Sequence, residues 1–161
     1  MKNNNMSIKK KVDNNKKGMS IIVKKICQII APVIFLFGLY IIAHGHLTPG
    51  GGFAGGVIMA SSFIFQIIAY GSILPKLRHE EEGLEFLESA AILGFLIIAA
   101  LGLIISGSTV FFAEFLKKGQ LGELYSAGFI PLENIVVGAE VCAGVSIIFM
   151  ALAVFKDEVT K

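Results

Sequence analysis

The sequence predicts an all-α membrane protein with four transmembrane helices, and three observations support this fold class. The 161 residues are 55% hydrophobic and 16% charged, whereas soluble domains average about 25% charged residues. The mean hydropathy is +0.76. The apolar residues are concentrated in four long runs, and nearly all charges lie between or outside these runs. This composition excludes an ordinary soluble enzyme, because too little polar surface is available to coat a globule in water.

The four apolar runs define the predicted spans 26–43, 50–70, 89–105 and 135–155. Each run is close to the roughly 20 residues that a helix needs to cross the hydrocarbon core. None of them alternates polar with apolar residues, as the strands of a membrane barrel do. Because backbone amides in hydrocarbon must be bonded within their own segment, we expect the runs to be helices. Residues 26–155 are therefore expected to form one four-helix transmembrane domain.

The basic residues predict how the chain is oriented in the membrane. Of the 14 lysines and arginines, only Lys117 and Lys118 fall in the loop between the third and fourth spans. The others precede or open the first span, lie between the second and third, or follow the fourth. The positive-inside rule therefore places both termini in the cytoplasm. Residues 1–25, rich in lysine and asparagine, are expected to be a disordered cytoplasmic leader, and residues 156–161 a cytoplasmic tail.

A segment rich in glycine joins the first two spans, from His44 to Gly56. Its threonine is expected to cap the second helix, and its proline to occupy the first helical turn. Small residues that recur every four positions predict a smooth face against which another helix lies close. A compatible interpretation is irregular backbone that lines water, an ion path or the groove of a partner. The motif residues are Thr48, Pro49, Gly50, Gly51, Gly52, Gly55, Gly56 and Ala60.

Glu140 is the only charged residue inside the four predicted spans. Because a charge at this depth costs about 3 kcal/mol or more, such residues usually face a bundle interior or a cavity. Glu133 lies two helical turns earlier on the same face, and Asn134 adds an amide at the entrance. Two interpretations stay open. Glu140 is either a relay carboxylate for protons or cations, or an acid that is hydrogen-bonded to a neighbouring subunit and needed for assembly.

His44 and His46 end the first span and complete the set of ion-path candidates. They either titrate near physiological pH or serve as polar groups at the helix end, which is the simpler interpretation. No metal site is expected, because the remaining histidine, His79, lies in a loop assigned to the opposite side. No catalytic constellation, nucleotide fingerprint or basic nucleic-acid face is recognisable in the sequence. We therefore expect no enzyme activity, no cofactor and no nucleic-acid partner.

Three stretches carry a family resemblance: HGHLTPGGGFAGG from His44 to Gly56, the run from Gly94 to Gly107, and IPLENIVVGAEV from Ile130 to Val141. Together they resemble the MnhB/MrpB family, the B subunits of multisubunit Na⁺/H⁺ antiporters, and the similarity extends roughly over residues 26–155. The resemblance implies a small accessory subunit in the cell membrane of a prokaryote. It further implies partners of the A, C, D, E, F and G types, and a complex that exchanges Na⁺ for protons.

Two other functions stay open beside that of an antiporter subunit. The resemblance also implies that B-type subunits occur in membrane-bound hydrogenase or sulfur-reducing complexes. Alternatively, the chain is a purely structural scaffold that has no ion site. A self-contained antiporter is not expected. Such a protein must bind and release two ions by alternating access, and four helices with one intramembrane acid provide too few groups for this.

Overall fold

The computed structural model describes residues 19–47, 49–70, 74–107, 110–113, 116, 118–120, 122 and 126–159. Four helices lie within these residues: α1 at Ile21–Ala43, α2 at Gly52–Tyr70, α3 at Leu74–Ser106 and α4 at Ile130–Val159. Each contains a stretch that is long and apolar enough to cross a membrane. The predicted fold class, an all-α protein with four transmembrane helices, is therefore confirmed. Most of the predicted leader and Thr48 of the glycine motif lie outside the described residues.

Three of the four helices extend beyond the predicted spans, whereas α2, at Gly52–Tyr70, lies within its predicted span of 50–70. Helix α1 begins at Ile21 rather than at residue 26, so the end of the predicted leader is helical. Helix α3 begins at Leu74, although residues 71–88 were expected to form a loop. Its membrane-spanning part is Glu82–Ile105. The reason is that hydropathy marks where a helix enters hydrocarbon, whereas glutamate, leucine and lysine favour a helix in water as well.

The helices pack in the order α1, α2, α4, α3, which differs from their order along the chain. Helix α2 lies between α1 and α4, and α4 lies between α2 and α3. Helix α1 also has a small contact with α4, whereas α3 packs against α4 alone among the described helices. The molecule is thus a row of helices with α4 near its centre, and much of its apolar side-chain surface is exposed. This surface suits a chain surrounded by lipid and other membrane proteins.

Close backbone contacts hold α2 between its two neighbours. A methyl group placed on Gly55 would lie 2.8 Å from the carbonyl oxygen of Gly38 in α1. A methyl group on Gly56 would lie 2.7 Å from the carbonyl oxygen of Gly138 in α4. Both distances are too short for a real side chain, so these positions admit only glycine without a backbone shift. The two glycines therefore serve two different interfaces, although they are adjacent in sequence.

Contacts between the start of α1 and the end of α2 fix the antiparallel alignment of these two helices. The backbone N–H of Met19 donates to the carbonyl of Ala69 over 3.1 Å. Further along, the rings of Phe35 and Phe63 meet edge to face, with centroids 5.8 Å apart. The two helices consequently stay in contact along their length, and such aromatic pairs add to the packing energy.

We expect the substitution Gly56→Ala to destabilise the protein, because the new methyl group would meet the backbone of α4. Overpacking of this kind costs about 1–3 kcal/mol. The measurement is the thermal unfolding midpoint of the purified protein in detergent, which should fall. Gly83→Ala is the matched control. Gly83 is exposed within α3, and a methyl group there has nothing within 4 Å. This control should leave the midpoint unchanged or raise it, since alanine favours a helix. Equal effects of both variants would contradict the packing argument.

Candidate functional site

A tight turn of backbone connects α1 to α2 at one end of the bundle. A side chain on Gly45 would collide with the backbone of Gly51. Gly51 itself has a φ of +102°, a conformation that residues with a Cβ rarely adopt. Helix α2 begins only at Gly52, so Pro49 precedes the first helical turn instead of occupying it. The capping position likewise falls at Gly51 rather than at Thr48.

Asn134 of α4 caps the first turn of α2. The backbone N–H of Gly52 donates to Oδ1 of Asn134 over 3.3 Å. Because the first amides of a helix have no partner within it, this bond satisfies a group that would otherwise be unbonded in the membrane. The other amide atom, Nδ2, lies 3.0 Å from the position that a methyl group on Gly45 would occupy. One side chain thus holds together the turn, α2 and α4.

The two histidines occupy the end of α1. The ring of His44 stacks on Tyr40, with centroids 4.2 Å apart. Its Nδ1 lies 3.1 Å from the carbonyl oxygen of Tyr40, which can only accept a hydrogen bond. His44 is therefore packed against the last turn of α1. His46 is half-buried in the following turn. Both lie next to Gly45, on the side of the molecule where Asn134 binds the turn.

Glu140 lies on the face of α4 that packs against α3. Val136 and Gly144, one turn before and one turn after it, share this face. Val136 packs against Gly94 of α3, with Cγ1 3.7 Å from the position of a methyl group there. A methyl group placed on Gly144 would likewise contact the carboxylate of Glu88 in α3. Glu140 is partly buried between these two contacts.

Glu133 lies two turns before Glu140, at the beginning of α4. Its Oε1 atom is buried and accepts no hydrogen bond within the described residues. The first turn of a helix favours a negative charge, because the helix dipole is positive there. The structure therefore separates the sequence-predicted residues into two groups. Asn134 and the histidines lie beside the turn between α1 and α2. Glu133 and Glu140, in contrast, lie on the side of α4 that faces α3.

Glu88 is a further acid at this contact that hydropathy alone does not reveal, because it falls in the predicted loop of residues 71–88. The longer α3 carries it into the contact with α4, where its Oε1 lies 3.2 Å from the position of a methyl group on Gly144. Gly144 and Glu140 are one helical turn apart, about 6 Å along the axis. A helical continuation of α3 before residue 89, visible as leucines and glutamates at helical spacing, is the signal that could have identified it. The α3 side of α4 thus carries Glu133 and Glu140, and α3 adds Glu88 within one helical turn of Glu140.

This arrangement offers carboxylate oxygens and an amide at membrane depth, which are groups that bind protons or alkali cations through oxygen. Within the described residues, no group of three or more histidine, cysteine, aspartate or glutamate side chains could hold a metal ion.

Comparison with known proteins gives a family match over most of the chain. A family model described as a domain related to the MnhB subunit of Na⁺/H⁺ antiporters matches residues 22–147. An uncharacterized protein of Methanocaldococcus jannaschii is 36% identical over 144 residues, which are 87% of this chain and 55% of that protein. A protein of Staphylococcus aureus strain Newman, named "Putative antiporter subunit mnhB2", is 28% identical over 112 residues, which are 70% of this chain and 71% of that protein.

A solved structure has the same fold. It is a chain of the membrane-bound sulfane sulfur reductase, an archaeal respiratory membrane complex, with a TM-score of 0.70 and 30% sequence identity. The match covers 86% of this chain and 60% of that chain. The present chain therefore spans little more than half the length of the archaeal proteins that it matches.

We expect Asn134→Leu to loosen the first turn of α2, because the Gly52 amide loses its acceptor. The loss of a helix cap costs about 1 kcal/mol, or about a fivefold change in local opening. Hydrogen exchange of the peptide that covers the start of α2 should accelerate accordingly. Asn134→Asp keeps the acceptor oxygen and should exchange at close to the wild-type rate. If the leucine variant also exchanged at the wild-type rate, the cap would have no role in holding this turn.

Proposed function

Because the chain belongs to the family of domains related to the MnhB subunit of Na⁺/H⁺ antiporters, we propose that it is an accessory membrane subunit of a multisubunit Na⁺/H⁺ antiporter. In this role it contributes both to cation–proton exchange and to assembly of the complex. The observation that carries the proposal is the position of Glu140, a partly buried acid on the α4 face that packs against α3. Acids at such positions usually serve an ion or proton pathway.

The pathway residues that we propose are Glu140, Glu133, Asn134, His44 and His46. Glu133 and Asn134 lie at the beginning of α4, and Glu140 lies about 10 Å further along its axis than Glu133. Because a proton hop needs hydrogen-bond contact or a bridging water, transfer over this distance requires water molecules or groups of a neighbouring subunit between the two acids. His44 and His46 border the entrance through their turn. The glycine motif positions this turn, and its irregular backbone is tolerated because α4 covers it.

The antiporter setting implies further properties of the chain. Its partners are other membrane subunits, of the A, C, D, E, F and G types, and its transported ions are Na⁺ and protons. We place it in the plasma membrane of a prokaryote as a multi-pass protein with both termini in the cytoplasm. It has no chemical reaction of its own, since binding and passage of ions require none.

The second candidate function is that of an Mrp-like subunit in a redox-driven complex, such as a hydrogenase or a sulfur-reducing complex. The structural similarity to a chain of the sulfane sulfur reductase favours it. Under either function the same four helices carry the same acid. A purely structural role, without an ion site, is the third possibility, and the close glycine contacts of α2 are compatible with it.

We expect Glu140→Gln to abolish most Na⁺/H⁺ exchange while the complex still assembles. The amide keeps the size and hydrogen-bonding capacity of the side chain but cannot bind and release a proton. Loss of a relay carboxylate should lower the initial rate at least tenfold, which is about 1.4 kcal/mol in the barrier. The measurement is Na⁺-induced proton movement in everted membrane vesicles that contain the whole complex.

Glu140→Asp is the matched control and should retain part of the activity. Blue-native electrophoresis of the same membranes reports assembly. Full exchange in an assembled Glu140→Gln complex would remove Glu140 from the pathway. A complex that fails to assemble with glutamine but assembles with aspartate would assign the acid to subunit contact.

Affinity purification of the tagged full-length chain in mild detergent should recover its host complex. With the antiporter function, the recovered proteins are antiporter-type membrane subunits without redox centres. Recovery of a nickel–iron or iron–sulfur subunit would instead support the redox-driven complex. Identification of the subunits by mass spectrometry separates these two outcomes directly.

A further inference from the structure

Two amide side chains are exposed in the same half of the α1–α2 pair. Gln28 lies between Met19 and Phe35 in α1, and Gln66 lies between Phe63 and Ala69 in α2. The Met19–Ala69 and Phe35–Phe63 contacts enclose both of them. Gln28 and Gln66 are each exposed, although both belong to segments long and apolar enough to span the membrane.

Gln66 lies on the packed face of α2 and is nevertheless uncovered. Ser62, one turn before it, and Ala69, almost one turn after it, are 2% and 0% exposed. Residues at these spacings share one face of a helix. The packing around α2 therefore opens at the level of Gln66. Near the other end of the pair, by contrast, Gly138 of α4 packs against Ile42 of α1.

Gln28 brings a second amide side chain to this opening, together with a backbone carbonyl that lacks its usual helical donor. Pro32, four residues later in α1, has no N–H, so it cannot donate to the carbonyl of Gln28. Gln28 lies one turn deeper than Lys24, whose ammonium group lies over the Tyr70 ring at 5.7 Å. The backbone carbonyl and the side-chain amide of Gln28 thus lie deeper in the membrane-spanning segment than the charged group of Lys24. Unbonded polar groups in hydrocarbon cost several kcal/mol each.

We propose that this opening, the amide groove defined by Gln28, Pro32 and Gln66, is the docking site for a transmembrane helix of another subunit. The occupant must present hydrogen-bond donors, such as hydroxyl or amide side chains, to the two glutamines and to the Gln28 carbonyl, which has no donor at Pro32. Lipid tails fit the groove poorly, because they offer no donor. The inference requires a membrane complex of some kind but does not depend on whether that complex is an antiporter.

The test is photocrosslinking in native membranes that contain the assembled complex. p-Benzoylphenylalanine replaces Gln28 or Gln66 in the full chain, one site at a time. A protein adduct with the same partner at both sites is the expected result. The reference site is Phe37, which is 55% exposed and lies nine residues after Gln28, on the opposite side of α1. Its yield of the same adduct should be several-fold lower.

Adducts with lipid alone at Gln28 and Gln66 would overturn the proposal, and so would equal yields of the protein adduct at Phe37. A second measurement tests the hydrogen bonds themselves. The double variant Gln28→Leu, Gln66→Leu, which carries no crosslinker, should lower co-purification of the partner that the crosslinks identify about five- to tenfold, as expected for the loss of two interhelical hydrogen bonds. If the groove faced lipid, leucine would leave recovery unchanged, and the proposal would be wrong. Because both readouts report contact, they are independent of ion exchange.

Discussion

The close approach of α2 to α1 and α4 is the constraint on which the rest of the structure depends. Between helices in lipid there is little hydrophobic driving force, so stability comes from van der Waals contact and hydrogen bonds at short range. Glycines on α2 permit both contacts, through Gly55 on one side and Gly56 on the other. The same closeness brings Asn134 within reach of the first amide of α2. A larger residue at either glycine would move the helices apart and remove this cap.

Helix α4 connects this packing to the chemistry of the site. One of its faces carries Asn134 and Gly138 against α2, and the adjoining face carries Glu140 and Gly144 against α3. Any shift of α4 that relieves a contact on the α2 side therefore displaces the acids on the α3 side. This coupling explains why a glycine motif in one part of the chain and an acid in another can belong to one functional unit.

The number of helices could be predicted from the sequence, because four apolar runs of spanning length are a direct consequence of the thickness of the bilayer. The order in which the helices pack could not, since it depends on matching surfaces that no single run reveals. Hydropathy also could not reveal that α3 begins before residue 89, and therefore could not place Glu88 in a helix. The acid Glu140 was identified from its cost in hydrocarbon, whereas the cap from Asn134 depends on a contact between residues far apart in sequence.

The row-like packing limits what the chain can do alone. A pathway for ions must exclude lipid on all sides, and in the described part of this chain Glu140 lies beside the contact of α4 with α3. The opposite, lipid-accessible surfaces of these helices are rich in exposed leucine, isoleucine and phenylalanine, which carry no groups that could guide a cation. The proposed transport role consequently requires neighbouring subunits to complete the wall around the acid. On this argument the exposed amides of α1 and α2 and the acid of α4 reflect the same property: this chain supplies part of a polar interior, and the assembled complex encloses it.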